Sequence, residues 1–142
     1  MAGPHTCFGC CGRDYIKEEL KQAIHKNTLE FKSAKDLVAF RERLPKDQLR
    51  ACGVCANLIF SDETKSRTLC PLHPQQTPDG KDLREGHCDI SFSCKAAFAY
   101  EGWDEKTRKK FLAFLREQND DLINYSIKMD SDEYFEEFLK QA

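Results

Sequence analysis

The eight cysteines constrain this chain of 142 residues more than any other feature of its sequence. All of them fall between positions 7 and 94. Three thiols stand in the stretch CFGCC near the start, and a C-x-x-C pair follows at Cys52 and Cys55. The remaining three are single and widely spaced: Cys70, Cys88 and Cys94. A fold for this chain must either gather these sulfur atoms or bury them one by one.

The surrounding sequence favours reduced thiols. The N-terminal residues carry no basic region followed by an apolar stretch, and no apolar run approaches the roughly 18 residues of a membrane span. We therefore expect a cytoplasmic protein, in which closely spaced cysteines bind metal or do redox chemistry. The net charge of −2 offers no electrostatic reason to expect nucleic acid or a membrane surface as a partner.

The spacing of the cysteines suits metal binding. A C-x-x-C loop can turn two sulfur atoms toward one ion, and zinc accepts four such ligands in a tetrahedron at about 2.3 Å. Cys10 and Cys11 are adjacent, and neighbouring side chains diverge on an extended backbone. Their thiols can therefore serve different metal ions or bridge one cluster. Compensating positive charge is available from residues close to cysteines in the sequence: Arg13, Arg50, Arg67, Arg84 and Lys95.

Four further residues are weaker candidates for ligands. His73 stands three residues after Cys70, and His87 directly precedes Cys88. Imidazole is an ordinary zinc or iron ligand, although a loop histidine is more often just solvated. Cys52 and Cys94 have apolar neighbours in the sequence, so burial as a small hydrophobic side chain is as reasonable for them as ligation.

The hydrophobic pattern predicts one mainly α-helical domain with a small β-hairpin. Residues 1–94 form its cysteine-cluster region, and residues 95–142 form a helical region packed on it. Helical spacing begins after Asp14, and a second helix is expected from Ser33. The hairpin joins two short apolar runs across a polar turn. Further helices are expected over 90–101, after Asp104, and after Asp130 or Ser131.

A family resemblance adds a ligand set. The successive stretches CFGCC, GVCANLIF, TLCPLHP and DLREGHC resemble the YkgJ-like cysteine-cluster family of zinc- or iron-chelating domains, over residues 7 to about 94. The resemblance leaves zinc, iron and an iron–sulfur cluster open as the bound species. It implies the following ligands: Cys7, Cys10, Cys11, Cys55, Cys70 and Cys88.

The sequence therefore predicts a metal-binding protein with a thiolate-ligated zinc or iron centre. One alternative is a thiol redox protein using Cys52 and Cys55, but that pair follows a helix and precedes a strand, the reverse of the usual order. A second alternative is a metal-dependent enzyme with an open zinc position. No catalytic motif accompanies the candidate ligands, so no catalytic residue is assigned.

The CFGCC segment generates a first testable prediction. Residues 1–12 hold few apolar side chains, and ordering each residue costs about 1–2 kcal/mol. Structural zinc supplies about 10–16 kcal/mol, so coordination shared with cysteines 55, 70 and 88 is expected to order the segment. We expect slow alkylation of its three thiols in the metal-loaded protein and fast alkylation after chelation, followed by peptide mass spectrometry. Equally fast alkylation in both states would contradict this.

Overall fold

The structure, a computed structural model, describes residues 3–12, 14–50 and 53–141. Its helices are α1 (Lys17–Ser33), α2 (Leu37–Glu42), α3 (Lys95–Gly102), α4 (Glu105–Gln118), α5 (Leu122–Asp130) and α6 (Glu133–Gln141), with one 3₁₀ turn at Lys46–Gln48. The strands are β1 (Ile59–Phe60) and β2 (Thr68–Leu69). The predicted fold class, mainly α with a small hairpin, is confirmed.

The chain divides into two compact units. We call them the terminal unit, Met1–Cys10 with Ser93–Ala142, and the central unit, Cys11–Phe92. One boundary between the units falls between Cys10 and Cys11, inside the CFGCC motif. The expected partition into regions 1–94 and 95–142 stays a prediction.

In the central unit, polar side chains of α1 hold strand β1. The strands pair antiparallel, with Ile59 opposite Leu69. The Thr28 hydroxyl accepts a hydrogen bond from the Phe60 backbone N–H at 3.0 Å and donates to the Ile24 carbonyl at 2.7 Å. An unpaired backbone group would be costly at this buried position, so α1 supplies the partner that a third strand would otherwise provide.

Helix α2 begins later than the sequence pattern suggested. Helix α1 runs on to Ser33, and Asp36 is the N-cap of α2, accepting from the Ala39 backbone N–H at 2.8 Å. Phe40 of α2 then packs with Ile59 and Leu72 in the core of the central unit. The capping carboxylate satisfies an N–H that the first helical turn leaves without a partner.

The terminal unit is built on an aromatic core. Phe111 of α4 and Phe138 of α6 contact edge to face with ring centroids 5.0 Å apart, and the Trp103 ring lies 5.4 Å from that of Phe111. Asp104 caps α4 as expected, accepting from the Thr107 backbone N–H at 2.8 Å. Aromatic burial of this kind contributes to the stability of the terminal unit.

Three features of the terminal unit differ from the expectation. Helix α5 was not predicted; it is capped by Asp121 and buries Tyr125. Helix α3 begins at Lys95 rather than near residue 90, because Cys94 is its N-cap. Helix α6 begins at Glu133, because Ser131 closes the C-terminus of α5 instead of capping α6.

No helix within the described ranges is both long enough and apolar enough to cross a bilayer. The cytoplasmic location stays a prediction.

The aromatic core predicts a contrast between two phenylalanines. Phe111 is fully buried, whereas Phe98 of α3 is 76% exposed. Phe111→Ala should lower the free energy of unfolding by about 3–5 kcal/mol through lost burial and a cavity. Phe98→Ala should change it by less than about 0.5 kcal/mol. Urea unfolding followed by circular dichroism measures both, and equal losses would contradict the assignment of the core.

Candidate metal centre

The described cysteines fall into two sets, one in each unit. The terminal unit holds Cys7, Cys10 and Cys94, and the central unit holds Cys11, Cys55, Cys70 and Cys88. None of these seven forms a disulfide. Cys52, the remaining candidate, lies outside the described residues.

In the central unit, backbone pairing brings Cys11 to Cys55. Gly12 forms an antiparallel bridge with Val54, and the Cys55 backbone N–H donates to the Cys11 carbonyl at 2.5 Å. A Cβ atom on Gly12 would lie 2.8 Å from the Val54 Cα and still closer to the Gly53 carbonyl. The approach of the two cysteine segments therefore requires glycine at position 12.

Cys55 and Cys70 each take part in the same kind of local hydrogen bond, in which the sulfur accepts a backbone N–H. The Cys55 sulfur accepts from the Asn57 backbone N–H at 3.5 Å, and the Cys70 sulfur accepts from the backbone N–H of Leu72. In each case the donor lies two residues after the cysteine. Loops of this shape turn a backbone dipole toward sulfur and stabilise its charged form.

The thiols of the central unit affect one another electrostatically. Burial raises the pKa of the Cys70 thiol to about 11, the Leu72 N–H opposes this, and negative charge on Cys55 and Cys88 adds to it. Burial likewise raises the pKa of Cys55, and negative charge on Cys88 adds to that rise. Cys55, Cys70 and Cys88 therefore lie within electrostatic range of one another, although they come from three separate loops.

Arginine side chains act on the thiols of Cys55 and Cys70. Arg50 and Arg43 lower the pKa of Cys55, and Arg84 lowers that of Cys70, each acting against burial, the largest cause. The positions of Arg50 and Arg84 agree with the expectation from the sequence that they supply positive charge near cysteines. Arg43 was missed because it stands 12 positions before Cys55, just after α2. Its guanidinium reaches the loop by bonding the Asn57 side chain at 3.0 Å.

Lys95, another expected source of positive charge, lies in the other unit. Lys95 forms an ion pair with Asp132 at 3.5 Å in the terminal unit. Arg13 lies outside the described residues. Arg84 itself is oriented by two bonds to the Asp82 carboxylate, at 2.9 and 2.8 Å.

The two candidate histidines differ in what their ring nitrogens do. Nδ1 of His73 accepts from the Gln75 backbone N–H at 3.1 Å, which occupies that lone pair. Nδ1 of His87 is buried and has no hydrogen-bond partner within the described part of the chain. Burial lowers the pKa of His87, and the positive charge of Arg41 adds to this. His87 is thus the histidine with a ring nitrogen still unsatisfied.

In the terminal unit, the N-terminal segment packs on α5. Phe8 is fully buried, and its backbone N–H donates to the Ser126 hydroxyl at 3.1 Å. His5 lies edge to face with Tyr125, with centroids 5.2 Å apart. One aromatic anchor and hydrogen bonds to α5 therefore help to hold this segment, and its ordering by coordination shared with cysteines 55, 70 and 88 stays a prediction.

Cys7 and Cys94 both lie near Tyr125. The Cys7 sulfur accepts from the Gly9 backbone N–H at 3.4 Å, and burial raises the pKa of its thiol to about 11. The Cys94 sulfur accepts from the Ala97 backbone N–H at 3.4 Å and packs against the aromatic core. Burial raises the pKa of Tyr125, and negative charge on Cys7 and Cys94 adds to the rise.

The side chains do not form a closed coordination shell as they stand. Across residues 3–12, 14–50 and 53–141, no three or more Cys, His, Asp or Glu side chains are arranged to hold an ion. Binding would require the thiols to converge, and the ligand set stays a prediction.

Comparison with protein-family models, with curated proteins and with solved structures found no match to this chain. The resemblance to the YkgJ-like family therefore stays a prediction.

Glycine 12 gives a test of the contact between Cys11 and Cys55. Gly12→Ala should push the paired backbones apart and destabilise the protein by about 1–3 kcal/mol, as overpacking does. The matched control is Gly102→Ala at the end of α3, where an added Cβ would meet nothing within 4 Å. Thermal melting compares the two variants. If Gly12→Ala melts no lower than Gly102→Ala, the close pairing is refuted.

Proposed function

We propose that this chain is a metal-binding protein with a thiolate centre in the central unit. The ligands are Cys11, Cys55, Cys70 and Cys88, and the ion is Zn²⁺, with iron as the alternative. The observation that carries the proposal is the backbone contact between the Cys11 and Cys55 segments, where the Cys55 N–H donates to the Cys11 carbonyl. Cys70 and Cys88, from two other loops, lie within electrostatic range of Cys55, and the sulfurs of Cys55 and Cys70 each accept a backbone N–H.

The hydrogen bonds to sulfur favour ligation over simple burial. A neutral thiol is a weak acceptor and gains little from an N–H aimed at it, whereas a thiolate gains the larger energy of a charge-assisted bond. Burial opposes the thiolate, as the raised pKa of Cys70 shows. A divalent cation offsets that penalty, and N–H groups directed at ligand atoms are the usual surroundings of a metal site.

Three arginines near these thiols also favour metal ligation. Four thiolates around a divalent ion leave two excess negative charges, which would be costly in a partly buried loop cluster. Arg43, Arg50 and Arg84 each act on a thiol of this set. Arg43 and Arg84 also form ion pairs with Glu30 and Asp82, so they compensate only part of the excess, and none of the three arginines occupies a coordination position.

A ligand set of four cysteines favours a structural metal site over a catalytic one. Four cysteines complete the tetrahedron that zinc adopts in structural sites, leaving no open position for substrate. A redox role for the Cys52–Cys55 pair is disfavoured because the pair follows a helix and precedes a strand, the reverse of the usual order. His87 directly precedes Cys88, and its Nδ1 has no hydrogen-bond partner within the described residues, so His87 is a further candidate ligand. His73 is less suitable because its Nδ1 already accepts a hydrogen bond.

Cys70→Ser tests the proposal. A hydroxyl is a poor replacement for thiolate, so this variant should lose about one metal ion per chain and melt at a lower temperature. Elemental analysis of protein purified without added metal, anaerobically and aerobically, measures the loss. A colourless sample with zinc indicates a zinc site, and a brown sample with visible absorbance indicates iron–sulfur.

A cavity variant separates ligand loss from general destabilisation. Leu72 is fully buried two residues after Cys70, so Leu72→Ala should cost about 2–5 kcal/mol while leaving every thiol and the Leu72 N–H in place. It should retain the metal that Cys70→Ser loses. Wild-type protein without stoichiometric metal, or Cys70→Ser with full metal content, would refute the proposed centre.

A further inference from the structure

We propose that Cys11 and Cys55 form a reversible disulfide when no ion is bound, so that a thiol oxidant controls the metal centre of the central unit. The regulatory meaning rests on the proposed function, because the disulfide withdraws two of the four proposed ligands. The bond itself follows from the backbone register between the two cysteines and from the contacts that hold Cys55.

The backbone sets Cys11 directly opposite Cys55. Gly12 and Val54 form an antiparallel bridge. In an antiparallel pair, one step back along one segment is one step forward along the other, so the next pair is Cys11 with Cys55. The Cys55 N–H donates to the Cys11 carbonyl at 2.5 Å, in agreement with this register. Backbone hydrogen bonding therefore decides which cysteine stands opposite which.

A directly opposed pair has nearly the spacing of a disulfide. The two side chains leave the backbone on the same face, with Cβ atoms about 4.5–5.5 Å apart, and the Cα atoms of a hydrogen-bonded pair are about 5.5 Å apart. Disulfides join Cα atoms about 4.4–6.8 Å apart and Cβ atoms about 3.5–4.5 Å apart. Closing the bond therefore requires only a small approach of the two Cβ atoms.

The Cys55 backbone is also held from the side of α1. Its carbonyl accepts from the side-chain amide of Asn27, a buried residue of α1, at 3.2 Å. The same amide donates to the Leu58 carbonyl at 3.0 Å, and the Ala56 N–H donates to the Leu49 carbonyl at 2.7 Å. Because these contacts position Cys55 before any reaction, a bond to the opposed cysteine forms faster than a bond to a separate thiol.

The reaction that forms the bond is thiol–disulfide exchange with a small disulfide such as oxidised glutathione. Both cysteines are half-buried, so part of each residue is open to the oxidant. One thiolate of the pair attacks a glutathione sulfur, forms a mixed disulfide and releases the first reduced glutathione. The opposed cysteine then attacks the protein sulfur and releases the second. The two protein thiols lose two electrons and two protons, and one oxidised glutathione becomes two reduced ones.

Oxidation and metal binding then exclude each other. A sulfur in a disulfide is not a thiolate, so the oxidised chain keeps only Cys70 and Cys88 of the proposed ligands. An ion bound to Cys11 and Cys55 occupies the sulfur lone pairs that would attack the oxidant. Reduction restores both thiols, and the metal centre can form again.

The experiment adds oxidised glutathione to chelated wild type and maps its peptides by mass spectrometry without reduction. The expected product is one intramolecular disulfide between Cys11 and Cys55, which dithiothreitol reverses. Its formation should lower zinc uptake by about one ion per chain. Cys55→Ser should not form it. Cys94→Ser removes a thiol of the terminal unit and keeps a favourable N-cap for α3, so this matched control should oxidise as wild type does.

A second pair of variants tests the register itself. Gly12→Ala should push the opposed backbones apart and slow formation of the disulfide roughly tenfold or more. Gly102→Ala, where an added Cβ meets nothing within 4 Å, should form it at the wild-type rate. Equal rates in the two variants overturn the inference. The peptide map of wild type decides the matter even where Gly12→Ala does not fold.

The outcomes separate this inference from the proposed function. A Cys52–Cys55 bond, a mixture of pairings, or glutathione adducts alone overturn the inference, and wild type that binds zinc but gives one of these products leaves the proposed function standing. An oxidised chain that still takes up zinc as the reduced chain does overturns the regulation. A chain that forms the Cys11–Cys55 bond but never binds metal when reduced overturns the proposed function and the regulation, while the disulfide stands.

Discussion

Sulfur partly shielded from water is the constraint around which the loops of this protein are arranged. A shielded thiol resists ionisation, and the pKa values of Cys7, an exposed residue, and of Cys70, a half-buried one, are both raised to about 11. Yet the chain directs backbone N–H groups at these same sulfur atoms, and at Cys55 and Cys94 as well. These opposing tendencies are reconciled when a cation shares the sulfur lone pairs, which is why we interpret the loops as ligand-bearing.

The two units hold their cysteines in place by different structural elements. In the central unit the cysteine loops depend on backbone pairing at Gly12 and on the hairpin, which α1 stabilises through Thr28. Regular structure is sparse between the hairpin and Phe92, where Cys70 packs against the core of the central unit and the Arg41 side chain donates to the carbonyls of Leu83 and Glu85 ahead of Cys88. In the terminal unit an aromatic core of α3–α6 carries Cys94, and Phe8 anchors Cys7 on α5. Loss of the metal that we propose for the central unit should therefore affect that unit more than the terminal one.

Much of the fold could be predicted from the sequence because its signals are local. Apolar spacing indicated α1 and the last helices, Asp104 marked the start of α4, and two apolar runs around a polar turn indicated the hairpin. Helix boundaries were harder to predict where two nearby residues could each act as the N-cap. Asp36 rather than Ser33 begins α2, and α5 was missed because its apolar residues were not recognised as a helical face.

The sequence by itself determined the number and spacing of the thiols, the helical character of the chain and the local charge near Cys55 and Cys70. Tertiary structure decided which thiols are neighbours. It placed Arg43 beside the Asn57 loop, brought Cys94 toward Cys7, and set the boundary between units within the Cys10–Cys11 pair. Helix caps and turns depend on contacts within a few residues, which a sequence displays directly. Proximity between Cys7 and Cys94 depends on how 87 positions of chain fold back onto α5, and burial of side chains far apart in the sequence decides that.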